Sequence, residues 1–299
     1  MRIGVSLTSG HAVSDPREGA RRIIERARAA EAAELDSLSL GDHHNTPAPY
    51  WQNTPMLGRL LAEWGPRPVG CLFLLPLWHP VLVAEHIGTL ASLTDAPFII
   101  QTGIGHGEGQ FAAMSADHGT RGRTLVESVR VVKAILAGEP VESPLVDGPV
   151  EVALRPAQPV EWWIGGGPAT VAIERAARIG DAWYASPALT PESAPPQLDV
   201  YLAACENEGV TARPIVRKDV IVAAEPGRAR AAADELLAAG YRGLTADQVV
   251  AGTPTEVAEL LRPFAEMGFT DVICRAMAVP QPLAVETMEQ LGEVRRLLS

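Results

Sequence analysis

Cysteine is scarce in this chain: Cys71, Cys205 and Cys274 are the three among 299 residues. An odd number with no shared motif spacing argues against a disulfide framework and suits a reducing compartment. Basic residues are in the minority, with 25 Lys and Arg against 36 Asp and Glu and a net charge of −11. Such a surface repels phosphate backbones and anionic lipid, so neither nucleic acid nor a membrane is expected as a partner. Long apolar runs are missing too. The longest stretch without a charged residue, Pro68–Ala84, has 17 residues and three prolines, which is no membrane span. Met1–Pro16 lacks the apolar segment of a signal peptide, and together with the cysteines this makes a cytoplasmic location the expectation. No dinucleotide fingerprint follows the first β-type run. No set of His and Cys has metal-ligand spacing, so no metal is expected.

What the chain has is rhythm. Short apolar, β-branched runs alternate with longer helical ones nearly to the end. Strands are predicted at Arg2–Thr8, Leu35–Leu40, Pro68–Leu75, Phe98–Gly105, Val160–Ile164, Asp181–Ala185, Arg217–Ala223 and Asp271–Arg275. Two helix starts carry capping signals. Asp15 precedes Pro16 at the first helical position with Glu18 as capping-box partner, and Thr253-Pro254-Thr255-Glu256 repeats the pattern. Gly138–Pro159, with five prolines, reads as an irregular insertion or hairpin. Eight strands, each followed by a helix, predict an α/β chain with a parallel sheet, specifically a (β/α)8 TIM barrel forming a single domain over 1–299. A doubly wound open sheet is the alternative.

In such a barrel the chemistry belongs to the loops after the strands, and four segments there stand out. Gly41-Asp42-His43-His44-Asn45 sets a carboxylate beside two histidines, a pairing that orients an imidazole and sets its pKa. Helix capping and loop hydrogen bonds are its plainer reading. Gly103-Ile104-Gly105-His106-Gly107-Glu108-Gly109 has glycine at alternate positions, where a flat ligand can approach the backbone; a ligand-free turn explains it equally well. Gly165-Gly166-Gly167-Pro168-Ala169-Thr170 presents amides at a helix start, which favours an anion over a plain tight turn. Leu74-Leu75-Pro76-Leu77-Trp78-His79-Pro80 suits a pocket wall or core packing, and Tyr50 and Trp51 form a second wall, a lid or an oligomer contact.

Together these segments resemble the bacterial luciferase-like family of flavin- and deazaflavin-dependent oxidoreductases, which are (β/α)8 barrels. Glu31–His44, Leu75–Leu93, Gly165–Ser186 and Ala251–Arg275 follow the order and spacing of the family's characteristic segments. One departure is Asp95-Ala96-Pro97-Phe98, where the family commonly has a Gly-Arg-Phe turn. The resemblance implies FMN or coenzyme F420 at the strand C-termini, and the Gly-Gly-Pro turn and Glu108 lean toward the deazaflavin branch. It implies His43, Asp42 and Glu108 as catalytic residues. Leu75, Gly105, His106, Gly107, Gly165, Gly166, Gly167 and Thr170 would bind the cofactor, and His44, Trp51 and Trp78 would line the substrate pocket. The expected reaction is hydride transfer or monooxygenation of a small, apolar or weakly polar organic substrate. The implied partners are a separate flavin or F420 reductase and a second copy of the chain. A two-component FMN monooxygenase and a cofactor-free barrel binding a phosphorylated metabolite are the alternatives.

Overall fold

Every strand in the sheet runs parallel to its neighbours, and the sheet closes on itself. The structure is a computed structural model that describes residues 1–299. Its elements follow in the order β1 (Arg2–Leu7), α1 (Pro16–Ala32), β2 (Ser37–Leu40), α2 (Asn53–Leu60), β3 (Val69–Phe73), α3 (Pro80–Ala91), β4 (Phe98–Thr102), α4 (Glu108–Ala113) and α5 (Arg121–Ala137). The second half continues with β5 (Val160–Gly166), α6 (Thr170–Ile179), β6 (Ala182–Ala185), α7 (Ala194–Glu208), β7 (Pro214–Val222), α8 (Arg228–Ala238), β8 (Val249–Gly252), α9 (Pro254–Glu266), β9 (Asp271–Ala276) and α10 (Gln281–Leu297). The ring is β1 through β7 and then β9, which pairs with both β7 and β1. This is the expected (β/α)8 barrel.

Period-two alternation builds two cores from the same strands. Ile99, Trp163, Ala182, Tyr184, Ile215 and Ile273 point inward and fill the barrel. Their neighbours along the strands, such as Phe98, Trp162, Trp183, Val216 and Cys274, point outward into a cluster of 69 buried residues beneath the helices. Side chains thus plug the barrel interior, and room for a ligand is left only at its mouth.

The structure differs from the predicted elements in four places. Strand β8 was not expected; it lies along the second half of β7, pairing Asp219–Val222 with Val249–Gly252, outside the eight-stranded ring. Helices α2 and α4 fall in stretches read as loops, because eight and six residues broken by Pro55 or opened by glycine carry no clear period. Glu18 does not close a capping box: Asp15 caps α1 by accepting from the Arg17 amide, while Glu18 pairs with Arg21 and Arg22. Thr253 and Glu256 do form the reciprocal box at α9. The 138–159 segment contains no helix or strand, only an isolated bridge between Ser143 and Val146. Gln158 ties it down by donating to the carbonyls of Ala91 and Thr94 at 2.6 and 2.9 Å.

Candidate active site

The loops after β1 and β2 are laced together before either reaches the barrel axis. Gly10 and Tyr50 form a bridge, and the Trp51 amide donates to the Ser9 carbonyl at 2.9 Å. This holds Tyr50 over the mouth, where its ring centroid lies 5.8 Å from that of His43. Burial, reinforced by the Asp42 charge, pushes the Tyr50 phenol up to about 12, and burial does the same to Tyr184. Both remain neutral hydrogen-bonding groups at ordinary pH.

A two-lobed cleft opens at the strand C-termini. The outer lobe measures about 590 Å³ and the inner about 330 Å³, and they share Asp42, His43, Leu72, Tyr184, Arg217 and Arg242. His43 stands exposed at the junction. The Gln110 side-chain amide nitrogen lies 2.6 Å from its Nδ1 and 3.0 Å from its Nε2. Partial desolvation lowers the His43 pKa, with Asp42 opposing and His44 assisting, so the imidazole favours its neutral, proton-accepting form.

Asp42 is buried, and its Oδ2 accepts from the Leu74 amide at 2.8 Å and from the Trp78 indole at 2.7 Å. Its Oδ1 lies 3.1 Å from His44 Nε2 but off the hydrogen-bond direction, leaving both atoms without a partner. The acid therefore fastens the loop after β3 and acts on His43 through its charge.

The glycine turn after β5 forms the opposite end of the outer lobe. Gly165 and Gly166 are glycines for packing reasons: an added Cβ would sit 2.3 Å from the Thr102 carbonyl oxygen at the first and 2.8 Å from Trp183 Nε1 at the second. Trp183 Nε1 also donates to the Gly166 carbonyl at 3.1 Å, fixing the turn against β6. At Gly167 an added Cβ meets nothing within 4 Å. That open position faces the cleft beside the N-terminus of α6 and Arg175, a donor set suited to a phosphate. Gly105, at φ +71°, completes the wall next to Ile104 and Leu74, where L side chains are disfavoured by the backbone itself.

Of the predicted site residues, the structure brings Asp42, His43, Gly105, His106, Gly107, Gly165, Gly166 and Gly167 to one cleft. Others are not brought there. Glu108 is exposed at the start of α4 and does not line the cleft; Gln110, two residues on, takes the place beside His43. Leu75 is fully buried, and Leu72 and Leu74 form the wall instead. Trp51 packs edge-on against His11 and fills the space at Gly19, so it belongs to the scaffold. Trp78 and His44 meet edge-on behind Asp42, outside the cleft lining. Thr170 is exposed at the first position of α6 and does not line the lobe.

Sequence reasoning missed the polar far wall. Arg217, Arg242 and Arg275 line the inner lobe. They surround the fully buried Asp219, whose oxygens lie 3.2, 3.0 and 3.8 Å from their guanidinium nitrogens. Burial alone would raise the Asp219 pKa, but the three arginines outweigh it and hold the carboxyl below its ordinary range. The signal was present as Arg217-Lys218-Asp219, three charges inside an otherwise apolar strand. Alternation sends Lys218 the other way, where it donates to the carbonyls of Pro187 and Leu189. In a chain of net charge −11 the mouth of the barrel is thus locally positive.

Residues 1–249 match the family model of luciferase-like monooxygenases. The chain belongs to that family. It is 26% identical over 197 residues to the F420-dependent glucose-6-phosphate dehydrogenase of Kribbella flavida, covering 61% of this chain and 58% of that relative, so it spans less than two thirds of the relative's length. Among solved structures it superposes on the monooxygenase RslO1 from Streptomyces bottropensis with a TM-score of 0.84 at 16% identity, over 98% of each chain. The oxygenating constituent of 3,6-diketocamphane monooxygenase from Pseudomonas putida, in complex with FMN, gives 0.82 at 16% identity over 98% of this chain and 96% of that one. At these identities the structural likeness speaks for the fold. No helix of this luciferase-like chain is long and apolar enough to cross a membrane.

Proposed function

We propose that this luciferase-like protein is a deazaflavin-dependent oxidoreductase that exchanges hydride with a small substrate bearing an anionic group. The observation that carries the reading is the two-lobed cleft itself, with a neutral imidazole at its waist, an open glycine cradle at one end and a guanidinium wall at the other. A volume of about 590 Å³ lies within the range of cofactor sites. The apolar strip of Leu72, Leu74 and Ile104 suits the face of a flat ring, and Gly167 leaves backbone amides free for a phosphate. The Kribbella flavida relative acts with F420, which favours that cofactor over FMN, and its named substrate is a phosphorylated sugar.

When bound, the deazaflavin supplies a ring carbon that takes or gives hydride. The chain's own residues do the rest. Gln110 holds the His43 ring, and the depressed pKa keeps a ring nitrogen free to accept the hydroxyl proton of a substrate as its C–H hydride departs. In the reverse direction the imidazolium returns that proton to the developing alkoxide. Arg217, Arg242 and Arg275 bind the anionic group and so orient the reacting carbon toward the ring. Asp42 keeps the β3 loop in place through its two donors.

Titration of the purified protein with F420 and, separately, FMN, followed by ring fluorescence, tests this. Tight binding of F420 with weak or no binding of FMN is the expected result. A preference for FMN overturns it in favour of a monooxygenase served by a separate reductase, and binding of neither ring leaves the cofactor-free alternative. A homodimer is part of the same proposal and is read from the mass in solution by light scattering.

A further inference from the structure

We propose that the surface groove between α5 and α6 seats the acidic tail of the deazaflavin cofactor. The groove measures about 830 Å³ and runs from the first turn of α6 to its last, along the N-terminal half of α5. Gly119, Thr120, Arg123 and Thr124 form one side, and Val171, Arg175 and Arg178 the other. Pro144 and Leu145, from the strandless segment after α5, close its floor. Arg175 lines both this groove and the outer lobe of the cleft, so the two cavities adjoin at its side chain, beside the glycine turn.

Three guanidinium groups share the groove without a matching acid. Glu127, the one carboxylate in the lining, is already taken by Arg130 at 2.6 Å. Asp117 lies nearer Arg123, but its oxygen accepts from the Gly119 amide at 2.8 Å. Arg175 is half-buried, and its surroundings depress its pKa through burial and through the like charge of Arg178, with no carboxylate in compensation. In a chain of net charge −11 acidic partners were plentiful elsewhere, so a groove with three guanidinium groups outside any ion pair, two of them repelling each other, marks a place for an anion from outside.

The shape selects which anion. FMN ends at its phosphate and would leave the groove empty. The F420 coenzyme continues through a phosphodiester into a chain of linked glutamates, each with a free carboxylate at neutral pH. Such a chain leaving the Gly167 turn meets Arg175, then Arg178 and Arg123, while its methylenes cross Pro144, Leu145 and the exposed Val171. The inference rests on the deazaflavin reading and extends it to a part of the surface that plays no role in the redox step.

The experiment compares full-length F420 with the tailless 8-hydroxy-5-deazaflavin nucleoside by fluorescence titration, on the native protein and on the Arg123→Glu/Arg178→Glu double variant. The native protein should bind F420 more tightly at low salt, with the advantage shrinking as sodium chloride is added. The double variant should lose about tenfold in F420 affinity and keep its affinity for the tailless compound. Arg123→Lys/Arg178→Lys should restore most of the loss. Equal F420 binding by native protein and double variant overturns the groove assignment alone, as does an equal loss for both ligands. Failure of the native protein to bind either deazaflavin overturns the cofactor reading and this inference with it.

Discussion

The Trp78 indole donates to Asp42 Oδ2 across 2.7 Å, and the same oxygen accepts the Leu74 amide at 2.8 Å. This carboxylate is buried, with one oxygen held by both donors. It orders the β3 loop and raises the proton affinity of the neighbouring imidazole against the effect of desolvation. Asp42→Asn removes the charge and keeps a similar shape. The His43 pKa should then fall further below its ordinary value, which a proton NMR titration of the imidazole reads directly. An unchanged His43 titration would show that Asp42 acts on the loop alone.

His43→Ala should lower kcat by about 10²-fold or more while shifting the thermal midpoint little, since the residue is exposed at the cleft. The pH profile carries the sign. A depressed pKa keeps the imidazole neutral further into the acid range, so kcat/KM for substrate oxidation should hold as pH falls to 6.5 and decline only below it. A variant within a few-fold of the native rate would remove His43 from the chemistry.

Gly166 and Gly167 are adjacent and should respond in opposite ways. Gly166→Val drives a branched side chain into Trp183 Nε1 and the Ala172 carbonyl, 2.8 and 3.0 Å from an added Cβ, so thermal stability should drop by several degrees. Gly167→Val meets no protein atom within 4 Å of its Cβ, so the protein should fold normally and bind the cofactor about tenfold or more weakly. If Gly167→Val binds as the native protein does, the phosphate sits elsewhere.

That contrast shows why the site was only partly legible in the sequence. Alternating strand and helix periods are local signals, and they carried the barrel with its eight ring strands. The glycine turn and the Asp42-His43 pair were visible because a barrel places strand ends at its mouth. Which neighbour faces inward is decided by strand phase and by contacts distant in sequence. Leu74 and Leu75, Tyr50 and Trp51, and Glu108 and Gln110 each exchanged roles within one or two positions for that reason. The arginine wall draws on residues 217, 242 and 275, and only closure of the ring brings them together.

Arg275 tests that wall, since it is the arginine least engaged with Asp219, at 3.8 Å. Arg275→Gln should weaken binding of a carboxylate- or phosphate-bearing substrate or inhibitor by about tenfold to a hundredfold and leave neutral ligands unaffected. Inorganic phosphate, tested as a competitor by calorimetry, should lose affinity in parallel. Equal losses for charged and neutral ligands would mean that the residue shapes the pocket without reading charge.

His11 supplies a stability test independent of catalysis. The ring is 7% exposed, Nε2 lies 3.1 Å from the Thr8 carbonyl oxygen, and the ring packs edge-on against Trp51. Burial first, and Arg26 second, lower its pKa from 6.5 to about 4. The folded state therefore resists a proton that the unfolded chain accepts. The stability gained from a neutral His11 is complete above pH 6.5 and is lost as pH falls toward 4. Between pH 7 and pH 5 this residue should account for about 2 kcal/mol of lost stability. Urea unfolding of the native protein and His11→Gln at the two pH values isolates it, because the remaining titrating groups are common to both chains. The variant should lose less stability on acidification. If both lose the same amount, His11 is protonated in the folded protein and the burial argument for its neutral form is wrong.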